Sequence, residues 1–182
     1  MSRAVFLDRD GTLIREVHFL SRLADMDILP GVGGALARLA DLGFLRLMVT
    51  NQSGVARRYF DLDFVSRCHA ELRRRLQREG ADLEGIYVCP HHPKFGGACL
   101  CRKPATGLLQ QAVQEHGVEL AQSWVVGDKA ADILLGRNGG CRTALVRTGY
   151  GADSERELDG LGIQPDVVAD DLAAVVEEIV RR

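Results

Sequence analysis

Short apolar runs that break into polar turns recur along this chain, and each is followed by a stretch with helical periodicity. That alternation limits the fold more than any other feature. Ala4 to Leu7 reads as a buried strand. Pro30 then opens a helix with Val32, Leu36, Leu39 and Ala40 on one face and Gly43 as its stop. Leu45 to Val49 is a second strand, followed by a helix capped by Asp61 or Asp63 with Val65, Cys68, Leu72 and Leu76 inward. Ile86 to Val88, Trp124 to Val126, Ala144 to Val146 and Val167 to Ala169 continue the strands. Helices are expected at Gly107 to His116, near Ala130 to Arg137, and at Asp171 to Arg182. Strands and helices of these lengths imply βαβ units. The expected fold is α/β, a three-layer Rossmann-like parallel sheet with helices on both faces. No linker divides the chain, so residues 1–182 read as one domain. Pro90 to Pro104 fits no βα unit, and Gly151 to Pro165 departs from the pattern.

Composition narrows the function classes. The 182 residues carry 23 Lys+Arg against 25 Asp+Glu, a balance that argues against a dedicated nucleic-acid partner. No apolar run approaches the ~20 residues of a membrane helix, and the N-terminus lacks a signal-peptide pattern. Only three lysines occur, Lys94, Lys103 and Lys129. Where arginine is the default cation, each lysine calls for a reason. Lys94 reads as a solvated surface charge. Three of five cysteines cluster at Cys89, Cys99 and Cys101, which suggests metal binding more than a disulfide framework.

Chemistry concentrates at strand ends, where open parallel sheets bind ligands. The first strand runs into Asp8-Arg9-Asp10-Gly11-Thr12, the second into Thr50-Asn51-Gln52-Ser53-Gly54, and the fourth into Gly127-Asp128-Lys129-Ala130-Ala131-Asp132. Asp8 and Asp128 on neighbouring strands would make a hard-oxygen pocket suited to Mg²⁺. Asp132 reads equally as a helix-start acid favoured by the macrodipole. The second loop offers a hydroxyl and backbone N–H groups for a phosphate, although the same residues make an ordinary turn. A compact ammonium at Lys103 would offset the repulsion between an attacking carboxylate and a phosphate.

In order along the chain, these four motifs resemble the haloacid dehalogenase superfamily of phosphotransferases. Arg9 within the first motif, the Thr50–Gly54 loop and the Cys/His loop are similar to the subgroup of heptose bisphosphate and histidinol phosphate phosphatases. The resemblance implies that Asp8 is the nucleophile and Asp10 the acid–base. It implies that Asp8, the Asp10 carbonyl and Asp128 hold Mg²⁺, and that Thr50 and Lys103 bind the transferred phosphoryl group. Arg102, then Asn51, Gln52, Ser53 and Arg57, are expected on the substrate, with Lys129 and Asp132 behind the metal. The intervals Asp10–Thr50 and Lys103–Asp128 are filled by the elements above, so no cap domain is expected. Selectivity would then rest with the loop after Asp10, the Gly54–Phe60 segment and the Cys/His loop.

Cys89-x-His91 and Cys99-x-Cys101 offer three thiolates and an imidazole, the donor set of a closed structural Zn²⁺ site within 89–104. His92 competes with His91, and the resemblance favours His91. Cys68 and Cys141 read as core thiols. His18, His69 and His116 show no partner in sequence, and Arg73-Arg74-Arg75 reads as a solvated face. The expected activity is Mg²⁺-dependent removal of the 7-phosphate of a heptose bisphosphate, a step toward nucleotide-activated heptose and lipopolysaccharide. The alternatives are histidinol phosphate hydrolysis and a non-catalytic zinc-stabilised binding domain. A small sugar phosphate is the expected partner, with no nucleic acid or membrane. The chain is expected to be a cytoplasmic monomer.

Overall fold

Ala4, Val5, Phe6 and Leu7 are all fully buried, as a central parallel strand covered on both faces requires. In the computed structural model, which describes residues 2–182, that strand is β1 (Arg3–Leu7). It is followed by α1 (Val32–Asp41), β2 (Phe44–Asn51), α2 (Leu62–Arg78), β3 (Gly85–Cys89) and α3 (Gly107–His116). The second half runs β4 (Trp124–Gly127), α4 (Ala130–Gly139), β5 (Arg142–Val146), α5 (Gly151–Gly160), β6 (Val167–Ala169) and α6 (Leu172–Val180). The six strands are parallel throughout, in the order β3-β2-β1-β4-β5-β6.

Alternate side chains of β1 feed two separate cores. Val5 and Leu7 pack with Leu36 and Leu39 of α1, Leu72 and Leu76 of α2, and Val175 and Val176 of α6. Ala4 and Phe6 pack on the opposite face with Leu108, Leu109 and Ala112 of α3. Ile133 of α4, Leu145 of β5 and Leu158 of α5 form a third cluster. The expected three-layer α/β arrangement is therefore present.

Boundaries differ from the sequence reading where polar residues decide them. The first helix starts at Val32 because Pro30 and Gly31 form a turn, with Gly31 at φ 80° as N-cap. Asp61 caps α2 through its carboxylate and the Phe64 amide, 2.7 Å. Asp171 caps the last helix through the Ala174 amide, 2.8 Å, and that helix ends at Val180. The irregular Gly151–Pro165 segment contains α5, a helix whose inward residues are only Gly151, Ser154 and Leu158.

Strand order reverses between β1 and β4, and a crevice opens there beyond their carboxyl ends. Residues 8–31 and 90–106 cover this end. Each segment carries one 3₁₀ turn, Leu23–Asp25 and Pro93–Phe95, and among the described residues neither carries a further sheet or α-helix. Among the described residues, loops and no cap domain cover the site.

Candidate active site and metal centres

Asp8 leaves β1 in the crevice, and its amide remains bonded to Val126 O of β4 at 3.0 Å. That bond places the first aspartate beside Asp128, which leaves β4. The carboxylates of Asp8, Asp128 and Asp132 come within 4.8 Å of one another. Gly11 and Gly149 make this approach possible. A Cβ on either would collide with the Asp128 carboxylate, and both adopt positive φ, 84° and 57°.

Lys103 is buried among these acids. Its Nζ lies 2.9 Å from Asp8 Oδ1 and 2.6 Å from Asp132 Oδ1, and it donates to Val49 O at 3.0 Å. The Asn51 amide holds the Lys103 backbone from both sides, accepting from its N–H at 3.1 Å and donating to its carbonyl at 3.3 Å. Burial would raise the Asp8 pKa, but the Lys103 and Lys129 ammoniums outweigh it and hold the carboxyl below its ordinary value. The nucleophile candidate is thus an ionised carboxylate. Burial works in the other direction on Lys103, but Asp132 and Asp8 raise its pKa and keep it charged.

Asp128 is the mirror case. Burial, with the Asp8 charge adding to it, pushes its carboxyl up to about 7. Oδ2 accepts from the Tyr150 amide at 2.9 Å, whereas Oδ1 is buried with no hydrogen-bond partner. The nearest cation to Oδ1 is Lys129 Nζ at 3.8 Å. A buried carboxylate oxygen in this state fits a divalent cation better than protein alone. Asp132 differs, because Oδ1 faces Lys103 and Oδ2 accepts from the Lys129 amide at 3.1 Å. It supports the lysines and the start of α4, which reconciles the two sequence readings.

Asp10 faces the cavity with its side chain 17% exposed. Arg9, at 2%, turns back beneath it and donates to both carboxylate oxygens from Nη2 at 2.9 Å. Gln52 donates to Asp10 Oδ2 at 2.9 Å and to Thr50 Oγ1 at 2.8 Å, and accepts from Arg9 at 3.0 Å. Thr50 is fully buried, and since its oxygen accepts from Gln52 its own proton stays free to donate.

The cavity above these groups measures about 290 Å³ and is lined by Asp8, Asp10, Ser53, Arg102, Lys103 and Lys129 among others. Asn51 and Gln52, expected on a substrate, line the cavity too, and their amides also bond within the protein. Gln52 uses both ends of its amide on Arg9, Asp10 and Thr50, and Asn51 holds Lys103. Arg57 points to the Cys/His loop, pairing with His92 Nε2 at 3.1 Å and stacking on Phe95 at 4.9 Å. Glu16 was not singled out by the sequence, yet it lines the cavity and pairs with Lys129 at 3.1 Å. Its only signal was its position in the loop after Asp10.

Cys89, His91, Cys99 and Cys101 converge at the edge of the sheet. The three sulfurs stand 3.2 to 3.7 Å apart, and His91 Nδ1 lies 3.3 Å from the Cys101 sulfur and 3.8 Å from that of Cys89. A tetrahedron with metal–sulfur bonds of about 2.3 Å has edges of about 3.8 Å, so the donor set fits Zn²⁺. His92 lies outside the cluster, its Nδ1 3.2 Å from the Lys94 amide nitrogen. Cys68 and Cys141 are buried free thiols apart from it. The arginine run is less solvated than expected, since Arg73 pairs with Asp82 and Arg75 with Glu71 and the Met26 carbonyl.

The chain is similar to known proteins over nearly its whole length. Residues 100–175 match a family model described as "HAD-hyrolase-like". A D-glycero-D-manno-heptose-1,7-bisphosphate 7-phosphatase of Thermosynechococcus vestitus is 44% identical over 97% of this chain and 94% of its own. A D-glycero-beta-D-manno-heptose-1,7-bisphosphate 7-phosphatase of Pseudomonas aeruginosa is 37% identical over 100% of both. The crystal structure of a D,D-heptose 1,7-bisphosphate phosphatase from B. bronchiseptica, complexed with magnesium and phosphate, superposes with a TM-score of 0.88 at 34% identity over 98% of both chains.

Proposed function

Since this chain belongs to the haloacid dehalogenase superfamily, in the branch of the heptose bisphosphate phosphatases, we propose that it hydrolyses the 7-phosphate of a D-glycero-D-manno-heptose 1,7-bisphosphate. The observation that carries the reading is an ionised Asp8, paired with Lys103, beside an Asp128 oxygen without a protein partner. Asp8 attacks phosphorus in line and becomes an aspartyl-phosphate as the P–O bond to the sugar breaks, while Asp10, entering the step in its protonated form, gives that proton to the departing sugar oxygen. Asp10 then takes a proton from the water that attacks the acyl phosphate, and phosphate leaves. Lys103 offsets the charge shared by Asp8 and the phosphoryl group, and Thr50 contributes a neutral donor. Mg²⁺, held by Asp8, Asp128 and the Asp10 backbone carbonyl, would supply positive charge to the phosphoryl oxygens.

Arg102 is the cation we assign to the second, anomeric phosphate. It lines the cavity and donates to His91 O at 3.2 Å. Zn²⁺ in the Cys₃His cluster would fix the loop that delivers Arg102 and Lys103. Its four protein donors fill the shell, so its role is structural. Asn51 and Gln52 are assigned to Lys103 and Asp10, and Arg57 to the zinc loop. This reading makes residues 1–182 one catalytic domain that acts as a cytoplasmic monomer.

The test is Mg²⁺-dependent phosphate release from both heptose 1,7-bisphosphate anomers and from histidinol phosphate. A heptose preference above ~100-fold in kcat/KM, about 2.7 kcal/mol of differential transition-state binding, would bear out the reading. A preference for histidinol phosphate would overturn the substrate and leave the catalytic roles standing. An Asp8→Asn variant should release no phosphate from any of them. Unchanged turnover in that variant would overturn the nucleophile itself.

A further inference from the structure

His69 lies on the buried stripe of α2, between Val65 and Leu72, and is 6% exposed. A leucine would suit that stripe better, because a buried imidazole costs stability unless it is hydrogen-bonded. Its Nε2 lies 3.3 Å from Arg9 Nη1. A guanidinium has donors and no acceptor, so Nε2 must be the unprotonated nitrogen, receiving the bond. Burial and the Arg9 charge agree, pushing the His69 pKa down to about 3 and keeping the ring neutral.

Arg9 therefore has each face of its fork occupied. Nη1 is held by His69 of α2, Nη2 by Gln52 at 3.0 Å, and the Nε/Nη2 edge by the Asp10 carboxylate. The planar fork sets the plane of that carboxylate, and Gln52 ties down Oδ2 at 2.9 Å. Arg9, Gln52 and Asp10 all line the cavity, and Asp10, its side chain 17% exposed against 2% and 4% for Arg9 and Gln52, is the most open of them to a leaving group. Arg9 and Gln52 hold the Asp10 carboxylate, and His69 of α2 backs Arg9 from the buried side.

We propose that His69 is a positioning residue for the acid–base carboxylate of Asp10, acting through Arg9, so that α2 sets the aim of proton transfer to the leaving oxygen. The inference rests on the role given to Asp10 under Proposed function. Losing the His69 acceptor leaves a buried guanidinium donor unmatched and frees the fork to tilt. General acid catalysis supplies roughly 10²- to 10⁴-fold. A misaimed Asp10 should therefore lose about 10- to 100-fold of it with a poor leaving group. With a leaving group that departs unprotonated, almost nothing should change.

The test compares kcat/KM, which covers steps up to aspartyl-phosphate formation, for the sugar bisphosphate and for 4-nitrophenyl phosphate. The variants are His69→Leu, which keeps volume without an acceptor, His69→Gln, which places an amide oxygen where Nε2 stood, and Asp10→Asn. His69→Leu should fall about 10- to 100-fold on the sugar substrate and less than about threefold on the aryl substrate. His69→Gln should recover most of that loss. An equal fall on both substrates, or no fall on either, would overturn the inference. If His69→Leu fails to fold, His69→Asn, too short to reach Arg9, is set against His69→Gln, and equal values for the two would overturn it. Asp10→Asn separates the two levels. A steep leaving-group dependence there beside a flat His69 series removes only the His69 role. A flat Asp10→Asn series removes Asp10 as the acid, and the inference with it.

Discussion

Replacing Lys103 with methionine removes one charge from an enclosed cluster and keeps most of the packing volume. In the wild-type chain the ammonium faces Asp8 Oδ1 at 2.9 Å, Asp132 Oδ1 at 2.6 Å and Val49 O at 3.0 Å, with a side chain 3% exposed. The variant leaves Asp8, Asp128 and Asp132 facing one another with Lys129 alone nearby. Removing one partner from a buried ion pair costs about 3 to 5 kcal/mol, because the abandoned charge cannot reach water. Lys103→Met should lose that much in urea unfolding at pH 7.5 without divalent metal. The loss has a definite pH dependence. Without Lys103 the pKa of Asp8, now below its ordinary value, rises above the unfolded value. A carboxyl raised in the folded state binds protons more tightly there, so acid restores stability. The deficit should shrink by up to ~1.4 kcal/mol per pH unit as pH falls toward 5. Phosphate release should drop at least ~10³-fold, since a preorganised cation at the reacting group is lost. A variant within about 1 kcal/mol of wild type at pH 7.5, or a deficit that stays constant down to pH 5, would refute this electrostatic account.

Three further outcomes follow from the same geometry. Gly11→Ala drives a Cβ into the Asp128 carboxylate at a φ of 84°, so the Mg²⁺ concentration for half-maximal activity should rise more than about tenfold, read from an Mg²⁺ titration. Asp128, with its carboxyl pushed up to about 7 by burial and the Asp8 charge, must lose a proton to bind metal. Mg²⁺ affinity by calorimetry should therefore weaken by up to ~10-fold per pH unit below about pH 7 and level off above it. Cys101→Ser opens the Cys₃His cluster; metal analysis should fall from about one zinc per chain toward none, with a lower melting temperature and lower kcat/KM through the adjoining Arg102 and Lys103.

The sheet was legible because its central strands are buried on both faces and read as unbroken apolar runs. β2 extends past Val49 because Thr50 and Asn51 still pair with Val88 and Cys89, which their polarity conceals. α5 was not legible. Its sequence is largely polar and acidic, and it buries only two small residues and Leu158, too little for a periodic stripe. Gly151 is required there because a Cβ would strike the Val146 carbonyl, a tertiary fact with no local signature. The strand-end aspartates and Lys103 could be read because topology brings strand ends together and lysine is rare in this chain. The partners of Asn51, Gln52 and Arg57 could not. A polar loop residue looks the same whether it meets substrate or protein, and Arg57 reaches a histidine 35 positions away. The Arg9–His69 contact spans 60 positions and was equally hidden.

The most direct measurement is ³¹P NMR of D-glycero-D-manno-heptose 1,7-bisphosphate incubated with the enzyme and Mg²⁺. The resonance of the primary C7 phosphate should disappear into inorganic phosphate while the anomeric phosphate signal persists, leaving heptose 1-phosphate. Loss of the anomeric signal first, or two unchanged resonances with active Mg²⁺-loaded protein, would contradict the account.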